Sequence, residues 1–147
     1  MNSIYDTVAG LNYYTSLTKI IKKAKMVEIL KKGGPFTLFG PYDGAFSAYT
    51  TYDADDQLHE FPQFDLENIL SSEKTAKDTL NYLLIAGVLP IEELTKRQSV
   101  TALNGLDIPI TTTDGNIIPG DSFILNYDIE CTNGIIHVTD EVLQPSL

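Results

Sequence analysis

The residues best suited to chemistry lie close together near the end of the chain. Cys131, His137 and Asp140 supply a nucleophile, a base and a carboxylate, which are the components of nucleophilic catalysis. Cys131 does not begin a predicted helix, so nothing in the sequence lowers the pKa of its thiol. We therefore predict that Cys131 is a small buried apolar residue and that the protein is not an enzyme, with no catalytic residues.

A second group of candidate ligands is the acidic stretch Asp53–Glu60, which also contains His59. A helix-loop-helix calcium site beginning at Asp53 requires glycine at its sixth position, where this chain has Leu58. One cysteine and two histidines are too few for a Cys and His zinc cluster. Gly33-Gly34 ends a predicted helix instead of opening one, unlike a phosphate-binding loop. We therefore predict no metal and no cofactor.

Hydrophobic spacing divides the 147-residue chain into a helical first part and a strand-rich second part. Apolar residues recur at helical spacing from Tyr14 to Lys32, and Gly33-Gly34 is expected to end that helix with a left-handed residue. Further helices are predicted over Ser3–Gly10, Asp43–Tyr49, Asp65–Leu70, Ser72–Ala86 and Ile91–Lys96. Strands are predicted over Ser99–Leu103, Asp107–Thr113, Asn116–Ile118, Ser122–Ile129 and Gly134–Val142, with a hairpin turn at Asp114-Gly115. This order predicts an α+β fold in a single domain, residues 1–147.

Charge is unevenly distributed along the chain, whose net charge is −10. Six of the ten basic residues fall between Lys19 and Lys32, and none follows Arg97. We expect one positive helix on a negative body, which excludes nucleic acid as a partner because phosphate binding needs a broad basic surface. No apolar run is long enough to span a membrane, and no signal peptide is visible at the N-terminus.

Two motifs at opposite ends of the chain predict core strands with their turns. The run Phe36–Phe39 is a short buried strand after which Gly40-Pro41 turns the chain, and Asp43 is expected to cap the following short helix. Asn133-Gly134 predicts a tight turn, because both residues tolerate positive φ, and opens the last strand. The structural residues of these motifs are Pro35, Phe36, Thr37, Phe39, Pro41, Asp43, Phe46, Asn133, Gly134, Ile136, His137 and Asp140.

These motifs, GPFTLFGPYDGAF and NGIIHVTDEVLQP, resemble the two signature boxes of the fasciclin domain, and the resemblance covers roughly Ile4 to Pro145. It implies a wedge-like pair of β-sheets with helices packed on one side. It also implies a non-enzymatic binding or adhesion module, extracellular or at the cell surface. Its expected partners are proteins or polysaccharides, with self-association as a further mode of binding.

The chain departs from the family pattern on the helix that precedes Gly87. Fasciclin domains commonly carry a Tyr-His pair there, and the pair is implicated in integrin recognition in animal relatives. Tyr82 is retained, whereas Leu83 stands where the histidine would be. The resemblance makes Tyr82 a candidate partner-binding residue, and we expect a drier core at Leu83.

The segment between Tyr49 and Asp65 is longer than the family leads us to expect and mixes acidic with aromatic residues. Such a loop can be a recognition surface, or its aromatic residues can anchor it to the core. Deleting Asp53–Glu60 is expected to leave folding intact and abolish partner binding. The predicted partner-binding residues of the segment are Tyr52, Asp55, Asp56, His59 and Phe61.

Eight tyrosines and six phenylalanines leave a second function open. The alternative is a small-molecule or pigment-binding module with an aromatic-lined pocket between sheet and helices.

Overall fold

The computed structural model contains six α-helices, one 3₁₀ helix and nine β-strands among the residues it describes. It describes the backbone of residues 1–52, 58–60 and 66–143, and the side chains of residues 1–46 and 66–143. The helices are α1 (Ile4–Gly10), α2 (Thr15–Lys23), α3 (Val27–Lys32), α4 (Leu66–Ile69), α5 (Glu73–Leu83) and α6 (Ile91–Leu94), with the 3₁₀ helix at Asp43–Tyr49. The strands are β1 (Phe36–Pro41), β2 (Thr50–Tyr52), β3 (Leu58–Glu60), β4 (Leu84–Ala86), β5 (Ser99–Thr101), β6 (Asp107–Thr113), β7 (Asn116–Pro119), β8 (Ile124–Cys131) and β9 (Gly134–Thr139).

Side-chain caps confirm the predicted starts of two helices. The Ser3 hydroxyl accepts a hydrogen bond from the backbone N–H of Asp6 at 3.1 Å, at the start of α1. The Ser72 hydroxyl accepts one from the N–H of Thr75 at 3.0 Å, at the start of α5. The predicted end of α5 at Ala86 was wrong, because the helix stops at Leu83 and the next three residues form β4.

The predicted helix from Tyr14 to Lys32 consists of two helices, so the prediction of one continuous element was wrong. Lys25, between α2 and α3, has a φ of 58° in the left-handed region. Beyond α3, Gly33 is not left-handed, and the positive φ of 114° falls one residue later at Gly34. The predicted inner positions are nevertheless buried or partly buried: Leu17, Ile20, Ile21, Ala24, Val27 and Leu30.

The four-stranded sheet has the order β4-β1-β9-β8 and places the two sequence motifs side by side. Strand β1 runs parallel to β9, with Phe36 opposite Gly134, and antiparallel to β4. It continues through Gly40-Pro41, so the turn predicted there was wrong. A Cβ at Gly40 would lie 2.7 Å from the hydroxyl of Tyr14, which donates a hydrogen bond to the Gly40 carbonyl at 2.9 Å. Glycine therefore allows a buried tyrosine to reach this strand.

A three-stranded sheet of order β5-β6-β7 follows in the second part of the chain. The predicted hairpin turn at Asp114-Gly115 is confirmed, with φ values of 52° and 81° that suit a two-residue turn. The last strand, β9, ends at Thr139 instead of the predicted Val142. Val142 and Leu143 are still buried, so the motif supplies core residues beyond its strand.

The core lies between the helices and the four-stranded sheet. Helix α2 packs on both α1 and α5, α5 packs on β1 and α1 packs on β9. Tyr14, Leu38, Phe39 and Leu80 are among the fully buried side chains of this core. The α+β prediction is confirmed, with helices first and most strands last.

Candidate binding site

The backbone of the predicted recognition segment contains the antiparallel strand pair β2 and β3. Tyr52 lies opposite Leu58 and His59 lies opposite Thr51. Asp55, Asp56 and Phe61 lie outside the described residues, so their part in a shared surface stays a prediction. Among the described residues, no group of three or more His, Cys, Asp or Glu is arranged to hold a metal ion.

Tyr82, the remaining predicted partner-binding residue, lies in the core with only 3% of its surface exposed. Its hydroxyl donates a hydrogen bond to the carbonyl of Asp107 at 2.8 Å, joining α5 to β6. Burial, followed by the negative charge of Asp107, raises the pKa of this hydroxyl, which keeps it a donor. Leu83 is fully buried, as expected for a dry site. A ring so placed offers a partner almost no contact area, so Tyr82 can influence binding only through the fold.

Replacing Tyr82 with phenylalanine should lower the free energy of unfolding by about 1 kcal/mol, because one buried hydrogen bond is lost and the ring is retained. Chemical denaturation measures this loss. Adhesion or ligand binding of the folded variant should equal that of the wild type. Reduced binding with unchanged stability would show instead that the Tyr82 hydroxyl takes part in binding.

Several residues of the first motif have structural roles. Phe39 and Phe46 are buried, and Pro35 follows a cis peptide bond. The Thr37 hydroxyl donates to the Gly87 carbonyl at 2.7 Å and accepts from the N–H of Leu89 at 2.8 Å. These bonds hold the segment between β4 and α6 against β1.

Asp43 caps a helix, but not the one predicted. Its carboxylate accepts hydrogen bonds from the N–H of Ser16 at 2.8 Å and from the hydroxyl of Thr15 at 2.7 Å. These residues begin α2, whose own preceding residue, Tyr14, makes no side-chain cap. The cap therefore comes from a distant part of the chain, and it ties α2 to the end of β1.

Replacing Asp43 with alanine should lower the free energy of unfolding by about 1 kcal/mol, through loss of this cap. Ser72→Ala, which removes a cap made within its own helix, serves as the comparison and should cost a similar amount. The measurement is urea denaturation of both variants; an unchanged midpoint for Asp43→Ala would contradict the assigned role.

In the second motif, Asn133 connects three parts of the fold. Its side-chain oxygen accepts from the N–H of Ile4 at 2.8 Å, and its amide donates to the carbonyls of Leu30 at 2.8 Å and Gly33 at 2.9 Å. Asn133 does not adopt positive φ, so the predicted reason for its presence in the turn was wrong. A Cβ at Gly134 would collide with the Phe36 carbonyl and the Ile4 side chain, so close packing requires glycine there.

The side chains of His137 and Asp140 both make hydrogen bonds within the fold. The Nδ1 of His137 accepts from the N–H of Asp128 at 3.2 Å, and Nε2 lies 2.7 Å from the Leu89 carbonyl. Since Nδ1 is an acceptor, the neutral ring carries its proton on Nε2 and donates it to that carbonyl. Asp140 accepts from the N–H of Phe123 at 2.9 Å and from the hydroxyl of Ser122 at 3.1 Å. Neither ring nitrogen of His137 is available to a nucleophile.

Cys131 is buried, as predicted from its place in the chain. Its thiol donates to the hydroxyl of Thr7 at 3.5 Å, and burial raises its pKa. A thiol with a raised pKa is a poor nucleophile at neutral pH, so Cys131 is poorly suited to nucleophilic catalysis.

A feature that the sequence analysis missed is a row of exposed apolar side chains on the outer strand of the four-stranded sheet. Phe123 immediately precedes β8, and Leu125 and Tyr127 lie within it. Their exposed fractions are 52%, 54% and 54%, respectively. The alternation predicts a strand, but sequence does not reveal that β8 is an edge strand. Exposed apolar side chains grouped on one edge strand mark an interaction surface.

A groove of about 300 Å³ opens beside this row, and we call it the α6–β8 groove. Its principal lining residues are Ile91, Thr95, Ile117, Phe123, Ile124 and Tyr127. Asp128 joins its two sides, because its carboxylate accepts from the N–H of Ile91, the first residue of α6, at 2.8 Å. Asp128 has a φ of 57° and lies between Asn126 and Ile129, where the pairing of β8 with β9 is irregular. The irregular strand and the cap together shape a preformed groove.

The fasciclin domain model matches residues 12–145 of the chain. The chain belongs to the fasciclin domain family. The predicted resemblance is therefore confirmed, and it accounts for the adjacent positions of the two motifs in β1 and β9.

Two relatives of this fasciclin domain come from the cyanobacterium Synechocystis sp. Protein sll1483 is 27% identical over 147 residues, covering 99% of this chain and 74% of its own length. Uncharacterized protein sll1735 is 27% identical over 143 residues, covering 97% of this chain and 98% of its own length. A solved FAS1 domain pair from the insect cell adhesion molecule fasciclin I is 20% identical with a TM-score of 0.74. That match covers 97% of this chain and 51% of the insect chain, and it shows the shared fold.

Within the described ranges, the helices of this fasciclin domain are too short or too polar to cross a bilayer.

Proposed function

We propose that residues 1–147 form one fasciclin-type domain that acts as a non-catalytic binding and adhesion module. Its partner is a protein or polysaccharide at a cell surface or in a matrix. The observation that carries this proposal is the exposed apolar row of Phe123, Leu125 and Tyr127. Half-exposed aromatic side chains offer a partner large apolar area with little conformational entropy to lose.

The proposed lack of catalysis rests on how the polar residues of the motifs are used. Asp43, Asn133, His137 and Asp140 each hold backbone groups in place. A side chain so engaged already has a structural role, which argues against a part in catalysis.

Two surfaces compete for the partner. One is the predicted segment between Tyr49 and Phe64, with Tyr52, Asp55, Asp56, His59 and Phe61. The other is the apolar row of β8. Deleting Asp53–Glu60 also removes strand β3, so the substitution Asp55→Asn combined with Asp56→Asn and Phe61→Ser is a cleaner test of the segment.

The deciding experiment is attachment of domain-coated beads to cells of the source organism and to surface polysaccharide isolated from them. Phe123→Ser combined with Tyr127→Ser tests the apolar row. Leu103→Ser combined with Leu106→Ser is the matched control, because these leucines are also exposed but lie in the turn between β5 and β6. We expect attachment to require the row and to survive the control. A wild-type domain that attaches to neither surface contradicts adhesion.

The proposed location, outside the cell or on its surface, has its own test. Protease treatment of intact cells followed by mass spectrometry should release peptides of this domain. If the domain is protected until the cells are lysed, the proposed location outside the cell is contradicted. An intracellular binding module then replaces the adhesion proposal.

The α6–β8 groove also favours a second function, the small-molecule-binding module. A volume of about 300 Å³ with Phe123 and Tyr127 in its lining is at the small end of ligand-binding cavities. Mass spectrometry of a solvent extract of the protein purified from its source tests this alternative. A stoichiometric apolar compound absent from the Phe123→Ser, Tyr127→Ser variant would establish it.

A further inference from the structure

The α6–β8 groove combines a sheet edge with apolar walls. Phe123 and Tyr127, which are four residues apart, both line the groove, whereas Leu125 between them lines a separate depression with Tyr13 and Tyr42. A partner lying along β8 thus meets two apolar side chains on an elongated surface. Because β8 is the outer strand of its sheet, an extended polypeptide can lie along it as a further strand, which a helix cannot do.

Acidic residues adjoin both aromatic residues of the groove. The carboxylate of Asp140 accepts from the N–H of Phe123. Asp128 directly follows Tyr127 and caps α6. Asp121 is exposed nearby in sequence, and burial together with Asp140 and Asp121 raises the pKa of Glu141. The acids therefore crowd one another near Phe123.

No basic residue of the chain balances these acids within the second part of the sequence. From Gln98 to Leu147 there is neither lysine nor arginine. On the α6 side, the ammonium group of Lys96 is paired with the carboxylate of Glu93 at 3.4 Å. Arg97, the next residue, is the other basic residue that follows α6 in the sequence. The charge complement of this surface is therefore a partner rich in lysine or arginine.

A second copy of the chain is a poor fit for this groove. Each copy has a net charge of −10, so bringing two of these acidic edges together costs electrostatic energy. The basic surface of the chain lies on α2 and α3, whose exposed lysines follow helical spacing. This helical basic surface does not match the shape of a groove that runs along a strand.

We propose that the α6–β8 groove binds an extended polypeptide segment in which apolar residues alternate with lysine or arginine. The segment lies along the outer edge of β8, its apolar side chains contact Phe123 and Tyr127, and its cations approach Asp128 and Asp140. This inference rests on the proposed binding function and specifies the chemistry of the partner.

The probe is a short synthetic peptide in which lysine alternates with valine, titrated into the isotopically labelled full chain and followed by NMR. The controls are the same peptide with glutamate in place of lysine and with serine in place of valine. We expect chemical-shift changes along β8, β7 and α6 with the first peptide, and at least about tenfold weaker binding of both controls.

Two sets of variants locate the contact. Phe123→Ser combined with Tyr127→Ser should weaken binding of the lysine-valine peptide by about tenfold or more, whereas Leu103→Ser combined with Leu106→Ser should not. Asp128→Asn keeps an oxygen for the cap of α6 and removes one charge, and it should weaken binding about threefold at low salt. Glu67→Gln, an exposed acid on α4, is the matched charge control and should have little effect.

Three results would overturn the inference. The first is equal affinity for the valine and serine peptides, which would mean simple attraction of a basic peptide to an acidic protein. The second is unchanged affinity of the Phe123→Ser, Tyr127→Ser variant. The third is a concentration-dependent dimer in sedimentation that this variant abolishes, which would make a second copy the occupant. If the peptide fails while bead attachment still requires Phe123 and Tyr127, the peptide inference fails and the adhesion proposal stands.

Discussion

Replacing Asn133 with alanine should lower the free energy of unfolding by about 3 kcal/mol, since three side-chain hydrogen bonds of about 1 kcal/mol each are lost. Their partners are the N–H of Ile4 and the carbonyls of Leu30 and Gly33. These groups belong to the start of α1 and the end of α3, where the helix itself leaves N–H and carbonyl groups without partners. A single asparagine thus holds two helix ends against the turn between β8 and β9.

Asn104→Ala is the matched control for this prediction. Asn104 also lies in a turn, but its side chain makes one exposed hydrogen bond, to the N–H of Leu106 two residues away, at 3.0 Å. Removing such a local bond should cost about 0.5 kcal/mol, at the low end for a hydrogen bond. Chemical denaturation of both variants gives the comparison. Equal losses for Asn133→Ala and Asn104→Ala would show that the long-range bonds contribute nothing beyond the turn.

Local signals predicted much of this fold. The serine caps of α1 and α5 and the Asp114-Gly115 turn depend on residues within a few positions of one another. Strand β6 was predicted with the bounds that it has, because alternating apolar residues and flanking turns define it locally. The two motifs predicted core strands, and the structure places those strands side by side as β1 and β9.

Features that depend on distant residues could not be predicted in the same way. Asp43 was expected to cap the helix beside it, but it caps α2, more than twenty residues earlier in the chain. The apolar helical pattern of α5 continues through Leu84, Ile85 and Ala86. These residues nevertheless form β4, because they pair with the free edge of β1. Nothing in the sequence near Lys25 signals the break between α2 and α3, since lysine favours helix. Tertiary contacts decide all three.

The candidate site also combines features that can be predicted from neighbouring residues with features that depend on distant ones. Aromatic residues in a polar segment indicate contact with a partner, so the sequence predicts a binding role for Tyr52 and Phe61, and that role stays a prediction. Alternation places Phe123 and Tyr127 in a strand, but it looks the same on a central and on an edge strand. Only the strand order β4-β1-β9-β8 shows that they face outward.

Replacing His137 with leucine should lower the free energy of unfolding by about 3 kcal/mol at neutral pH, because a buried N–H and a buried carbonyl each lose their partner. The two groups are the N–H of Asp128, on β8, and the carbonyl of Leu89, before α6. His137 is fully buried in the second motif, and the Phe39 ring lies 5.9 Å away. Leucine fills similar space, so the loss reports the hydrogen bonds more than a cavity.

The same residue should make the fold sensitive to mild acid. Burial lowers the pKa of His137 below its ordinary value of 6.5, although the Leu89 carbonyl and the Asp128 carboxylate, 3.9 Å from Nδ1, partly oppose this. A second proton would also belong on Nδ1, which now accepts from a backbone N–H. As the pH falls below 6.5, the unfolded chain binds a proton that the folded chain resists, so stability decreases until the pH reaches the lowered pKa.

The measurement is the free energy of unfolding from about pH 7.5 to about pH 5, the range in which an ordinary histidine titrates. The wild type should lose stability across this range more steeply than His137→Leu, because the variant lacks the group that takes up the proton. His59→Gln removes the only other histidine and is the matched control, which should keep the steep wild-type slope. Parallel profiles for the wild type and His137→Leu would assign the acid sensitivity to carboxylates instead. If the steep dependence of stability on pH disappears only in His137→Leu, the acid-sensitive connection between β9 and β8 is the hydrogen bond from the N–H of Asp128 to Nδ1 of His137.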